Sequence, residues 1–331
     1  MRSAILALLL LPTASAPRVA PPPVAPVEIV EWTVPWEKTR PRDPYVDKQG
    51  RVWFVGQAGN YVAYLNPTNG EFKRYEIDAG TNPHNLIIAE DGMVWYSGNR
   101  NGRIVKLDPA TGKLTTYMMP DKAVEDPHTL IFDKTGNIWF TAQSANYVGH
   151  LVTKTGDIHL IKSPTSGSRP YGIVVDPKNR PWFVEFGTNK IAMIDAASMK
   201  IVEHTLPNPK THPRRIAVTS DGMLWYGDYT QGTLGRFDPN TNTAKEWPLP
   251  SAGMSLPYAM TSDDKDRVWL VETGVQPNRL VGFDPKTESW FSITPVSKSG
   301  GGTIRHMIFH RPTRTIWFGT DANTIGRASV P

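Results

Sequence analysis

The chain has 331 residues, 36 Lys and Arg against 31 Asp and Glu, 30 Pro, 27 Gly and no Cys. Its mild positive charge is scattered without a basic run, which argues against a nucleic-acid surface. The missing cysteines exclude disulfides, a lipid-modified cysteine and covalently attached haem, and the length admits two ordinary domains or one large all-β domain.

The first element is an export signal. Met1-Arg2 is a positive start, Ala4 to Leu11 is a short apolar run, and Pro12 to Ala16 supplies the small residues of a cleavage site. Residues 1–16 therefore read as a secretory signal peptide, too short for a stable membrane span. Residues 17–26 (PRVAPPPVAP) read as an extended, semi-rigid spacer. The mature protein is expected to be exported, periplasmic or secreted, without a membrane span.

From residue 27 to 331 the chain repeats itself. Seven tryptophans, Trp53, Trp95, Trp139, Trp182, Trp225, Trp269 and Trp317, are separated by 42, 44, 43, 43, 44 and 48 residues. Six of the seven have a proline twelve residues earlier, and between the two lie an apolar run and a turn such as Glu90-Asp91-Gly92 or Ser220-Asp221-Gly222. After each Trp come an alternating segment, often ending in Asp-Pro, and a last short strand. Four short β segments in about 40–45 residues describe a propeller blade, and helical periodicity is missing. The fold expected is all-β, a seven-bladed β-propeller of four-stranded blades in one domain over 27–331. The last repeat stops after its third strand, whereas Val30 to Pro35 resembles the fourth strand Lys245 to Pro250. The N-terminal strand should therefore close the ring and leave no naked edge. The recurring Trp is expected to pack between blades.

Strand one of a blade runs down the central channel and strand two returns, so the start of one and the end of two share a face. Counted eleven residues before each Trp, the first position reads Arg42, His84, His128, Tyr171, Arg214, Tyr258 and His306. Every one of these side chains can move a proton, carry charge or stack. Three residues after each Trp the series is Gly56, Gly98, Ala142, Glu185, Asp228, Glu272 and Thr320, with Asp321 next to the last. The expectation is a polar mouth with His84 and His128 side by side and Arg214 at the centre of an acidic arc. A buried charge network around Arg214 and a merely water-lined axis account for the same residues without any ligand. Converging His and carboxylates are also what acid–base chemistry or a divalent cation uses. His150, His159, His204, His212 and His310 fall elsewhere and read as surface residues. Gly300-Gly301-Gly302 and Val275 to Asn278 depart from the repeat on the same face, as ligand loops do.

Units such as Gly222-Met223-Leu224-Trp225-Tyr226, the Pro-His and Pro-Tyr-Gly-Ile openings and Ile325-Gly326-Arg327 resemble the streptogramin B lyase (virginiamycin B lyase) family of seven-bladed propellers, over residues 27 to 331. That resemblance implies opening of a cyclic depsipeptide by elimination, with a base removing the proton beside the ester-linked carbon and magnesium polarising the lactone. It matches the family's catalytic His to His306 and a carboxylate to Asp321. The family's other His is Tyr258 here, its second carboxylate is Ile304, and its Tyr is Arg42, with Tyr45 nearby as a substitute.

The expected ligand is accordingly a small molecule or cyclic ester at the channel mouth. His306, His128, His84 and Tyr258 are the candidate proton-transfer groups. Arg42, Tyr171 and Arg214 would bind substrate, and Glu272 and Asp321 would hold a magnesium ion. A monomeric carbon–oxygen lyase or lactone-opening enzyme fits those residue types. The alternatives are a non-catalytic periplasmic binding propeller for a small molecule, glycan or protein partner, and a calcium-dependent lactonase, which needs carboxylates clustered around the axis.

Overall fold

A computed structural model describes residues 24–331. The expected signal peptide and residues 17–23 of the spacer lie outside that range. The end of the spacer and the first domain residue are docked on blade six: Ala25 N–H donates to the Phe291 carbonyl at 3.0 Å and Val27 N–H to Thr294 Oγ1 at 2.9 Å.

Seven antiparallel four-stranded sheets follow one another, six of them built from consecutive strands. In the seventh, the strand Ile29–Thr33 pairs with Thr324–Ser329 over five residue pairs, Ile29 with Ala328 through Thr33 with Thr324. The ring is closed by the N-terminal strand, as expected. Helix is confined, among the described residues, to the single 3-10 turns Ala252–Met254 and Arg311–Thr313.

The tryptophans pack as the repeat implies. Trp53 shares its core with Leu86, Val94 and Tyr96 of the next blade, and Trp139 shares its own with Ile173 and Phe183. Trp269 joins Ile304, Met307 and Phe318, and Trp317 joins Val46, Val52 and Phe54 of blade one. These clusters bridge neighbouring blades, so the apolar core is a ring of joints between blades. Fourth-strand aromatics cover the Trp: Trp247 stacks on Trp225 at 5.6 Å, and Trp32 of the closing strand stacks on Trp317 at the same 5.6 Å.

The turn between strands one and two is fixed by a side chain placed six residues before the Trp. Asp263 is the clearest case. One of its oxygens accepts the backbone N–H groups of Lys265 and Arg267, and the other accepts Trp269 Nε1–H at 2.9 Å and Arg267 Nε–H at 2.8 Å. Asp47 and Asp176 repeat this arrangement in blades one and four. The turn also needs a left-handed residue, supplied by Gly50, Gly92, Gly136 and Gly222 or by Asn179 and Asp266, types that tolerate positive φ. Asp263→Ala should therefore strand a buried indole N–H and uncap the turn, at a cost of about 3 kcal/mol in urea denaturation. The exposed Glu37→Ala should stay within about 0.5 kcal/mol of the parent.

Candidate functional site

Six blades open their first strand with proline: Pro41–Val46, Pro83–Ile88, Pro127–Phe132, Pro170–Val175, Pro213–Val218 and Pro257–Ser262; the seventh is Ile304–His310. In all seven the register slips just below this start, so that two residues oppose one on the second strand. Such bulges re-aim side chains. Here they bring two consecutive residues per blade to the channel mouth.

This register corrects the assignment in blade seven. Ile304 pairs with Thr320 as Pro127 pairs with Ala142, and Met307 with Phe318 as Leu130 with Phe140. Arg305 therefore stands in the row of Arg42, His84, His128, Tyr171, Arg214 and Tyr258. His306 stands in the next row, with Asp43, Asn85, Thr129, Gly172, Arg215 and Ala259. The cause is one extra residue in the hairpin of blade seven, where Arg311–Thr313 forms a 3-10 turn. Counting back from Trp317 shifts the row by one.

The mouth is densely packed. Arg42, His84, His128, Tyr171 and Tyr258 are only 2–5% exposed. The His84 and His128 rings lie side by side with centroids 3.6 Å apart, as the spacing predicts, and Tyr171 follows His128 at 4.3 Å. The Tyr171 and Tyr258 hydroxyls hydrogen-bond across the axis. Below them Asp43 receives Arg42 Nε–H at 2.9 Å and Asn85 Nδ2–H at 2.9 Å, while Arg215 donates to Thr129 Oγ1 at 3.0 Å and to the Arg305 carbonyl at 3.2 Å.

The acidic arc around Arg214 does not form. Arg214 is instead enclosed by aromatic rings, its guanidinium carbon lying 3.6 Å from the Tyr258 centroid, 4.3 Å from Tyr229, 4.9 Å from Phe186 and 5.2 Å from Tyr171. Cation–π attraction replaces the ion pairs. The three carboxylates turn into loops between blades. Glu185 accepts from Ser163 and Thr188, Asp228 from the His212 N–H and Thr230, and Glu272 from Ser251, Ser255 and Arg279. Glu185 is pushed up to about 7 by burial and by Glu203. Asp321 sits at the rim in a two-pronged pair with Arg305, at 3.0 and 2.5 Å, with Arg40 at 3.7 Å. Tyr45, the substitute for the family's Tyr, pairs opposite Trp53 further down the strand and is not at the mouth.

These placements decide the fit of a magnesium ion. Among the described residues no group of three or more His, Asp or Glu side chains is arranged to hold a metal. Glu272 and Asp321 are each committed to an arginine, and neither stands with the histidines. The residues present do not fit the expected magnesium, nor the carboxylate cluster of a calcium-dependent lactonase.

Electrostatics at the mouth is dominated by guanidinium groups. Burial works against ionisation of Tyr258, but Arg214, Arg42, Arg215 and Arg305 outweigh it and pull the phenol down to about 7. Its partner Tyr171 moves the other way, raised by burial and by Tyr258. Burial and then neighbouring arginines hold His84 and His128 well below the usual histidine range, and burial lowers His306 to about 4 although Asp43 opposes it. All three imidazoles are neutral near pH 7. Several buried donors lack a protein partner, including Arg42 Nη2, Arg214 Nε and Arg215 Nη2, as do His84 Nδ1 and His306 Nδ1.

With the fold and the mouth defined, the chain can be compared with known proteins. The profile of the virginiamycin B lyase family matches residues 82–330. The chain belongs to the virginiamycin B lyase family. Among solved structures it is similar to selenomethionine-substituted virginiamycin B lyase from Staphylococcus aureus, with 24% identity and a TM-score of 0.83 over 92% of this chain and 99% of that one. A catalytically inactive form of the S. aureus lyase with quinupristin gives 25% identity and 0.83 over the same shares. An extracellular domain from B. thetaiotaomicron, assigned to a hybrid two component system, gives 16% identity and 0.67 over 88% of this chain and 40% of that one. At such identities the shared property is the fold. No curated protein matches this chain. Family membership thus accounts for the blade pattern, while Phe186, Tyr229, Arg215, Asp43 and Arg305 are site residues that the spacing did not single out. The aromatic pair had a signal: both follow their Trp by four residues, one past the series of Glu185 and Asp228.

Proposed function

We propose that this family member is a carbon–oxygen lyase or lactone-opening enzyme whose ligand, a cyclic ester or a related carboxylate, binds at the channel mouth. The observation that carries this reading is the set of buried guanidinium nitrogens of Arg42, Arg214 and Arg215 that make no hydrogen bond, gathered around Tyr258 although Asp43 lies 3.9 Å from Arg215 Nη2. Donors without acceptors in a protein interior are costly, and an ester or carboxylate supplies the acceptors. In the elimination, Tyr258 as phenolate takes the proton beside the carbonyl carbon. That C–H electron pair becomes the new C=C bond as the ester C–O bond breaks, and the leaving group departs as a carboxylate. Arg214 and Arg305 offset the charge that develops on oxygen. His306, neutral and with Nδ1 free, is the second candidate base, and His84 and His128 are neutral groups for further proton transfer.

A non-catalytic binding propeller is the second reading. It is favoured by the burial of Tyr258 beneath Arg214 and by the packing of His84 on His128, which leave little reach for a reacting atom. Export is part of the proposal. It is supported by the pattern of residues 1–16 and by the fold likeness to an extracellular domain, and no helix among the described residues is long and apolar enough to cross a membrane.

The test is a panel of lactones and cyclic esters, with the tyrosinate ultraviolet band titrated alongside. Turnover that falls at least 100-fold in Tyr258→Phe, with loss of a tyrosine ionising near pH 7, supports the enzyme. Turnover that survives Tyr258→Phe but not His306→Ala moves the base to His306. Saturable binding without turnover, weakened by Arg214→Ala, establishes the binding propeller, and neither binding nor turnover overturns both readings.

A further inference from the structure

We propose that a groove between blades two and three, on the face opposite the channel mouth, binds a small organic carboxylate with an apolar body. This rests on none of the chemistry at the mouth. The groove is a cavity of about 660 Å3 walled by the hairpins that join strands one and two, including Ala89 and Thr135.

The repeats mark where the anion belongs. In blades one, three, four and six an aspartate oxygen accepts the indole N–H of the anchor Trp, at 2.8, 3.2, 3.1 and 2.9 Å. In blade five Thr219 does so at 3.2 Å. Blade two has Ala89 at that place, which has no oxygen to offer. It also has Met93 where blades one, four and six carry the arginine paired with the aspartate. Both charged partners are missing together, and Ala89 and Trp95 line the groove. In blade seven the same position is His310, and the Trp317 indole nitrogen is sealed inside the protein without a partner. Blade two differs because its Trp, itself 4% exposed, borders an open cavity.

The remaining walls suit a carboxylate carried on an apolar body. Lys106 Nζ lies 5.5 Å from the Trp95 ring centre, and Lys154 stands on the wall, so a carboxylate bound to the indole N–H has cations beside it. Ile88, Phe132 and Tyr45 give apolar contact. Three acids also border the groove. Asp133 has one oxygen bound by its own turn and the other by Trp139, while Glu90 and Asp91 are exposed at the rim, where water and salt screen them.

The experiment follows the Trp95 indole resonance of 15N-labelled full-length protein, assigned with Trp95→Phe, during titration with phenylacetate and with its neutral amide, phenylacetamide. The expected result is a saturable shift with phenylacetate and at least tenfold weaker binding of the amide. Ala89→Asp, which restores an internal carboxylate, should abolish the response. Lys106→Met should weaken phenylacetate at least tenfold and leave the amide unchanged, which keeps the test valid if Ala89→Asp does not fold. No saturable shift at millimolar phenylacetate, equal binding of the amide, or an undiminished response in both variants overturns the proposal. Shifts confined to resonances at the mouth also overturn it, because the ligand then sits elsewhere.

Discussion

A chain that begins at Val34 should fail to hold the ring closed. Without Ile29–Thr33, blade seven keeps three strands, and Thr324–Ser329 becomes an unpaired edge. The loss goes beyond five residue pairs. Trp32 no longer covers Trp317, and buried Glu31 no longer receives the Ser299 N–H at 3.1 Å and Thr324 Oγ1–H at 2.8 Å. Backbone pairing at about 1 kcal/mol per bond, together with burial of the strand's apolar side chains, puts the loss on the order of 5–10 kcal/mol. That is comparable to the roughly 5–15 kcal/mol holding an ordinary domain together. Circular dichroism melts should show a collapsed or abolished transition, and size-exclusion should show self-association through the open edge. A synthetic peptide covering residues 27–36, added in trans, should recover the parent's elution volume. A truncated protein that melts as the parent does would mean that the closing strand contributes nothing.

Acidification should weaken the fold well before the ordinary carboxylates protonate. His84, His128 and His306 have pKa values lowered by burial, so the unfolded chain binds more protons than the folded one between about pH 6.5 and the folded values. The histidines' contribution is then full above about pH 6.5 and is lost as pH falls, through about 4 for His306, while the single Glu185, raised to about 7, opposes the three of them by taking up its proton over the same range. A histidine lowered from 6.5 to about 4 represents on the order of 3 kcal/mol for that residue alone. Asp43 is lowered too: burial raises it, but Arg42, His306 and Arg215 prevail, and its share is lost only at lower pH. Urea denaturation at pH 7, 5.5 and 4.5 should show a falling midpoint, with a shallower fall in His306→Gln. A flat profile down to pH 4.5 that His306→Gln leaves unchanged would show that the imidazole is solvated.

The sequence by itself determined the architecture and the stretches of chain that reach the channel mouth. Each blade must bury one indole and turn at fixed intervals, so the period of the Trp and the Pro twelve residues earlier in six of the seven blades are written in linear spacing. The closing strand was legible for the same reason, since Trp32 in the N-terminal segment and Trp247 in blade five fill equivalent places. The neighbourhood of His84 and His128 also followed from spacing, because adjacent blades bring equivalent positions together.

Only the tertiary structure decided which way the polar side chains turn and what they meet. Spacing gives height along the channel, but at a bulge the strand no longer alternates regularly, and a one-residue insertion remote from the mouth moves every count. That is why Arg305 stands in the row assigned to His306. Glu185, Asp228 and Glu272 lie where counting puts them along their strands, yet they face loop hydroxyls, backbone amides and Arg279, because a buried carboxylate turns toward nearby donors. Arg214 could then be held by Phe186, Tyr229 and Tyr258, residues far apart in sequence whose rings meet only when blades four, five and six pack side by side.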